Sequence, residues 1–444
     1  MWANLRLYLI GLAVTLGPLA VRVLTLPTPE EHDASPAAIA AGRDLFVHEW
    51  KANDPMCPEG DGLGPVFNAN SCVACHHQGG PGGSGGLAAN VTTFAIEPAN
   101  RAAPPRQGVV HAFASERRYL ETLKLLDNQL PATSRPTLAF IQEQARRQRG
   151  RGSRSCFPVV ATDVLHLSQR NTPALFGSRL IDEIPDRVII AEERRQQLRW
   201  GLQEATTETA PVGRALRLGQ GRVGKFGWKG QSPSLAAFVQ TACANELGLG
   251  NPGQSQPSPL PALDFRARGY DLTLQQCDQI TAFCASLPSP VERIPQDSTQ
   301  ANQARTGKSL FETVGCAHCH TPELGSVKGL YSDLLLHRMG QELQGDGSYD
   351  DDPIPPPPSP DGTIPPLPLA DEWRTPPLWG VADSAPYLHD GRAPTLAAAI
   401  LAHGGQAAAA NSRFQALSEP QQQQLIAFLE TLRAPQVHKP SPPR

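Results

Sequence analysis

Two five-residue strings carry the most legible chemistry of this chain: Cys72-Val73-Ala74-Cys75-His76 and Cys316-Ala317-His318-Cys319-His320. Both read C-x-x-C-H. Two thiols one helical turn apart can form thioethers with the two vinyl groups of one haem, while the adjacent histidine offers its imidazole to the iron. With 9 Cys and 12 His in 444 residues, chance gives roughly 0.005 such strings. A zinc site of two C-x-x-C pairs keeps its halves about 15–20 residues apart, much closer than these. A thioredoxin-like pair wants a βαβ setting and no appended histidine. The expectation is therefore two covalently bound c-type haems, with His76 and His320 as proximal ligands.

The elements that must position these strings occur twice. Gly42-Arg43-Asp44-Leu45-Phe46 matches Gly307-Lys308-Ser309-Leu310-Phe311, each on an amphipathic helix ahead of its haem string. Arg170 to Gly177 matches Arg374 to Gly380. Pro233-Ser234-Leu235-Ala236-Ala237 matches Pro394-Thr395-Leu396-Ala397-Ala398, and Ala282-Phe283 with Leu287 matches Ala427-Phe428 with Leu432. Four matched segments in one order predict a mainly α fold of two homologous cytochrome c-type haem domains, over residues 37–292 and 300–437, with long irregular loops. The halves differ by insertions: Gly79 to Gly86 and the Arg-rich Arg146 to Arg154 in the first, the Pro-rich Pro353 to Pro368 in the second.

The duplication separates the two irons. Seven residues past Leu396 stands His403; seven past Leu235 stands Ala242. A side chain able to close the sixth iron position is thus present in the second half and missing in the first. Closed haem moves electrons, whereas an open position can bind peroxide or oxygen. Glu246 lies one helical turn beyond Ala242, over the face with no protein ligand, and a carboxyl there could take a proton from H2O2 and return it to the leaving oxygen. Its plainer reading is a solvated helix glutamate. Trp228 sits seven before Leu235, where the other half has His389, and could carry oxidising equivalents or simply pack. Met339 and His337 rival His403 at the second iron; His166 and His111 are candidate labile ligands of the first, and His77 follows His76 too closely to swing across.

Composition limits the rest. Charged residues make up 18% and hydrophobic ones 40%, with a net charge of -3, so neither a multispanning membrane protein nor nucleic-acid binding is expected. Leu7 to Val23 is an apolar run after Arg6, read with residues 1–30 as a signal peptide or an N-terminal membrane anchor, which places the protein in the periplasm. The cysteines outside the haem strings are Cys57, Cys156, Cys243, Cys277 and Cys284. Cys277 and Cys284, seven apart on one helix, are about 10 Å apart along its axis and cannot bridge each other.

These residues resemble the di-haem cytochrome c peroxidase superfamily, and within it the peroxidase-like di-haem oxidoreductase branch once labelled thiol oxidoreductase. The similarity runs from about Ala37 to Pro435. It is carried by Gly62 to Ala69 with Cys72 to His76, Arg170 to Gly177, Gly221 to Gln231, Ser332 to His337, Arg374 to Gly380 and Tyr387 to Gly391. The resemblance implies a peroxidatic N-terminal haem and an electron-receiving C-terminal haem, with the inter-haem tryptophan at Trp228 and the catalytic glutamate at Glu246. The family's glutamine near peroxide falls on Phe238 and its distal proline on Ala242, two departures from the pattern, and its distal methionine is replaced by His403. A calcium between the domains would use Asn171 with backbone oxygens of Ser384 and Pro386. The implied function is reduction of H2O2 with electrons from a small redox protein or a quinol-linked donor. The alternatives are an electron-transfer cytochrome with both irons saturated, and a haem enzyme oxidising a protein or organic substrate. A homodimer is left open.

Overall fold

The computed structural model describes residues 35–97, 106–114, 164–204, 210–257, 266–345, 347, 349 and 367–435. The expected signal or anchor, Arg146 to Arg154, Cys156 and most of Pro353 to Pro368 lie outside them. Ten helices are used below: α1 Pro36–Val47, α2 Cys72–Cys75, α3 Ser178–Asp182, α4 Asp186–Glu204, α5 Leu235–Leu247, α6 Leu274–Ser286, α7 Ser298–Val314, α8 Leu396–Leu401, α9 Ala408–Ala416 and α10 Glu419–Leu429.

The segments that match in sequence build matching contacts. Helix α1 starts at Pro36, its first turn capped by Ser35, whose side chain accepts from the Ala38 N–H. It crosses α6 at Gly42, where a Cβ would overlap the Gln279 carbonyl and touch Phe283 Cβ at 3.0 Å. Helix α7 crosses α10 at Gly307 in the same way: a Cβ would overlap the Gln424 carbonyl and touch Phe428 Cβ at 3.0 Å. The paired phenylalanines complete each crossing, Phe46–Phe283 at 5.0 Å and Phe311–Phe428 at 5.4 Å. Both α6 and α10 open on a capping box, Thr273 with Gln276 and Ser418 with Gln421. Glycine at the crossing and Phe four residues on are thus what the matched Gly-x-x-Leu-Phe strings are for.

Helices α5 and α8 also start alike. Each follows a tight antiparallel turn, Phe226 bridged to Ser232 and Tyr387 to Ala393. Each is capped by a hydroxyl, Ser234 to the Ala237 N–H and Thr395 to the Ala398 N–H. They end differently. Helix α5 runs 13 residues to a left-handed Gly248 cap, whereas α8 stops after 6, before Gly404 and Gly405, which take up the turn with Gly405 at φ +50°.

The first-half insertion is not wholly irregular, as its composition suggested. Val91–Glu97 is the central strand of a three-stranded antiparallel sheet, between Arg106–Val110 and Val164–Arg170. Its β-branched run favours a strand, and register places Thr93 opposite Ser168 and Val91 opposite Arg170. The sheet ends at Arg170, so it delivers the chain directly into Asn171-Thr172-Pro173. Two-stranded pairings join Leu336–Arg338 to Glu372–Arg374 and Val291–Glu292 to Leu432–Arg433. Among the described residues no helix is long and apolar enough to cross a membrane.

Candidate functional site

A cavity of about 590 Å³ lies between α7, α8, α9 and the Glu372–Arg374 strand; Cys316, Cys319, His320, His403 and Met339 are in its wall. Its volume is that of a cofactor site. His320 donates from Nδ1 to the Tyr331 carbonyl at 3.0 Å, and His403 from Nδ1 to the Ala399 carbonyl at 2.7 Å. A carbonyl can only accept, so both rings carry their proton on Nδ1 and leave Nε2 as a lone pair. Burial pushes the His320 pKa down to about 4 and lowers that of His403, which keeps both neutral. Their ring centroids are 6.5 Å apart. Two imidazoles sharing one metal at about 2 Å per bond would place their centroids about 6.3 Å apart. These residues fit a six-coordinate haem iron. His337 is committed elsewhere: Nε2 meets Asp333 Oδ2 at 2.8 Å and Nδ1 meets Gln406 Oε1 at 3.0 Å.

A second cavity, about 130 Å³, is lined by Cys72, Cys75, His76, Ala242 and Glu246. It is smaller than a usual cofactor pocket, so the fit here rests on the donor set and the apolar wall. His76 repeats the His320 arrangement, with Nδ1 donating to the Gly83 carbonyl at 3.2 Å and a pKa pushed down to about 4 by burial. Burial also pushes the Cys72, Cys75 and Cys316 thiols up to about 12, so as free thiols they are neutral. Neither His111 nor His166 is among the described lining residues of either cavity, and His111 Nε2 faces the Asn245 carbonyl at 2.9 Å.

Glu246 is not a solvated helix residue. Its carboxyl lies inside the smaller cavity, where Oε2 accepts from Asn68 Nδ2 at 2.7 Å. The buried Oε1 has no hydrogen-bond partner among the described residues. Burial raises its pKa, while hydrogen bonds from Tyr349 and Asn68 pull it back. Asn68 also accepts from the Ala112 N–H at 2.8 Å, which fixes its amide so that Nδ2 points at Glu246. Neither Asn68 nor Tyr349 was singled out from the sequence. Asn68 stood in the Gly62–Ala69 string four residues before Cys72 and could have been; nothing in the sequence marks Tyr349.

Trp228 is in the wall of both cavities. Its indole N–H donates to the Asn171 carbonyl at 2.8 Å, and its own carbonyl accepts from the Arg374 N–H at 2.9 Å. His389, at the matching place, is in the larger cavity's wall and stacks on Trp373 at 3.7 Å and 11°. Lys229 Nζ lies 3.7 Å and Arg170 Cζ 4.8 Å from the same Trp373 ring. Burial first, then Arg170, Arg392 and Lys229, hold the His389 pKa well below the usual range. The calcium candidates Asn171, Ser384 and Pro386 all line the larger cavity. A Cβ on Gly391 would sit 3.1 Å from both Asn171 Nδ2 and Pro386 Cγ, so both side chains border Gly391. Asn171 Nδ2 donates to Asn90 Oδ1 at 3.0 Å.

Residues 265–432 match the family described as "Di-haem oxidoreductase, putative peroxidase". No curated protein matches the chain. Solved structures similar to it include the diheme peroxidase BthA from Burkholderia thailandensis, at 15% identity over 90% of this chain and 86% of that one, TM-score 0.40. Hydrazine synthase from Kuenenia stuttgartiensis is similar at 17% identity over 63% of this chain and 100% of that one, TM-score 0.26. A MauG-like protein associated with microbial copper homeostasis is similar at 22% identity over 36% of this chain and 52% of that one, TM-score 0.22. Residues 265–432, which contain the second haem string, are thus similar to the di-haem oxidoreductases.

Proposed function

We propose that the protein is an exported di-haem c-type peroxidase that reduces H2O2 in its first half with electrons delivered through its second. The observation that carries this reading is the inequality of the two cavities: His403 faces His320 at 6.5 Å in one, while Ala242 and an acid stand at the matching place in the other. The repeated Gly42 and Gly307 crossings support two homologous halves, each holding its haem by its two cysteines and one histidine. When bound, the haems supply iron redox chemistry, one open to peroxide and one closed.

The chain's own residues supply the proton path and the positioning. Glu246, as carboxylate, takes the proton from peroxide at Oε1 and returns it to the leaving oxygen, while Asn68 and Tyr349 hold Oε2 and the carboxyl plane. Phe238 and Ala242 add apolar wall to the cavity that holds this acid, and burial there raises its proton affinity. Trp228, common to both walls, positions Asn171 and is the candidate route for oxidising equivalents. A calcium held by Asn171, Ser384 and Pro386 belongs to this proposal, as do the periplasmic location and the redox-protein or quinol-linked donor. Peroxide consumption by the half-reduced protein tests the reading: loss of H2O2 with a spectral change at one haem supports it. An unchanged spectrum and unconsumed peroxide would leave an electron carrier.

A further inference from the structure

The wall of the larger cavity contains a buried charge that no acid among the described residues neutralises. Arg374, which ends the Glu372–Arg374 strand, is 9% exposed and lines that cavity. Its Nε donates to the Gly227 carbonyl at 2.8 Å and its Nη1 to the Thr375 carbonyl at 3.3 Å, which leaves Nη2 without an acceptor among the described residues. Burial pulls the Arg374 pKa down to about 10 and the charge of Asp333 pulls it back, so the group stays cationic at neutral pH. Asp333 is itself held at 2.8 Å by both His337 and Gln196. Glu372, two residues back, is taken by Arg214.

Two other buried cations near this strand are satisfied by the fold. Lys229 Nζ donates to the carbonyls of Leu369, Ala370 and Glu372 at 2.8, 2.9 and 2.7 Å. Arg170, which opens the matching segment of the first half, donates to Ser168 Oγ at 2.6 Å and to the Gly347 carbonyl at 3.1 Å. Arg374 differs in keeping a free edge in the wall of a largely apolar cavity. A buried cation without a partner is costly, and an anion in the cavity offsets that cost. A second wall group is short of a partner too: His389 is 4% exposed, its Nε2 has no hydrogen bond among the described residues, and Asp390 Oδ2 stands 3.9 Å away.

We propose that Arg374 binds a propionate of the second haem and so fixes that haem's edge beside Trp228. A haem brings two carboxylates, and a guanidinium can hold one of them through two parallel hydrogen bonds. The Arg374 N–H donates to the Trp228 carbonyl at 2.9 Å, and Trp228 is in the wall of both cavities, so the anchor sits where the two cavities share a residue. The proposal rests on the second cavity holding a covalent haem. The test uses the full holoprotein with its haem carboxylates labelled biosynthetically with carbon-13, beside Arg374→Gln and Arg374→Lys. Protein mass counts the covalent haems of the wild type first; a missing second haem would sink the haem reading itself and this assignment with it. With the haem present, isotope-edited infrared difference spectra across reduction of the second iron report on its propionates alone. The expected result is a labelled carboxylate band that moves in both variants. At pH 8 the equilibrium constant for reducing the second haem should fall about ten-fold in Arg374→Gln, where a positive charge is lost, and return most of the way in Arg374→Lys, where it is kept. Should Arg374→Gln not fold, the band in Arg374→Lys decides alone, because an ammonium replaces the two-pronged contact. A merely structural role would lower stability and move neither readout. Labelled bands unmoved in every folded variant would overturn the assignment while leaving the haem reading intact, and a potential shift without a band shift would do the same by pointing to a free anion beside Arg374.

Discussion

The two halves start from one plan and end with opposite cavities. Their crossings at Gly42 and Gly307, their capping boxes and the Nδ1 bonds of His76 and His320 repeat. Beside the cavities, the difference that matters lies in one helix. Where α8 breaks after Leu401, His403 drops toward His320; where α5 continues to Leu247, its last turn carries Glu246 inward instead. In the proposed reading one ligand position is exchanged for one acid, through residue identity (His403 against Ala242) as well as helix length.

The largest effect should come from removing the acid. Glu246→Gln keeps the shape but cannot accept a proton, and peroxide turnover should fall about 10²–10⁴-fold with both haem spectra intact; steady-state peroxide consumption beside absorption spectra checks this. Turnover at the wild-type rate would show that the two cavities do not differ in the way described. Next is the exchange of ligands. Ala242→His should close the first site and His403→Ala should open the second, so that peroxide binding, followed by spectral titration, is lost in one variant and appears at the second haem in the other.

A smaller effect tests the seam between the halves. Arg214 makes a bidentate pair with Glu372, Nε to Oε1 at 2.7 Å and a second nitrogen to Oε2 at 2.6 Å. Burial raises the Glu372 pKa, but Arg214 outweighs it and the net shift is downward. A depressed folded pKa gives stability that is present above the unfolded carboxylate range and lost as pH falls through the folded value. Because Arg214 is a quarter exposed, Glu372→Gln should cost about 1–3 kcal/mol at pH 7, and less near pH 3, by chemical denaturation. Least affected should be Trp228→Phe: the apolar ring stays, the bond to Asn171 goes, and about 1 kcal/mol of stability is lost. A loss of turnover beyond that expected from stability would identify the indole as more than packing.

Legibility in the sequence followed the range of the interactions. His403 and Ala242 could be read by counting from matched leucines, because one helix sets the offset. Glu246 could be placed on its face for the same reason, but its burial could not, since Asn68 and Tyr349 come from distant segments. The pairing of Val91–Glu97 with Val164–Arg170 was missed because that partner is far along the chain and no turn signal joins the two. His337 looked like an iron ligand until Asp333 and Gln406, the latter 69 residues away, were seen to occupy both nitrogens. Conversely, the matched Gly-x-x-Leu-Phe strings spoke directly of structure, since only glycine fits the crossing.

Electron paramagnetic resonance of the fully oxidised holoprotein tests the inequality of the two sites most directly. One high-spin ferric signal from the first half is expected beside one low-spin, bis-histidine signal that vanishes in His403→Ala. Two identical low-spin signals in the wild-type protein, both unmoved by peroxide, would contradict it.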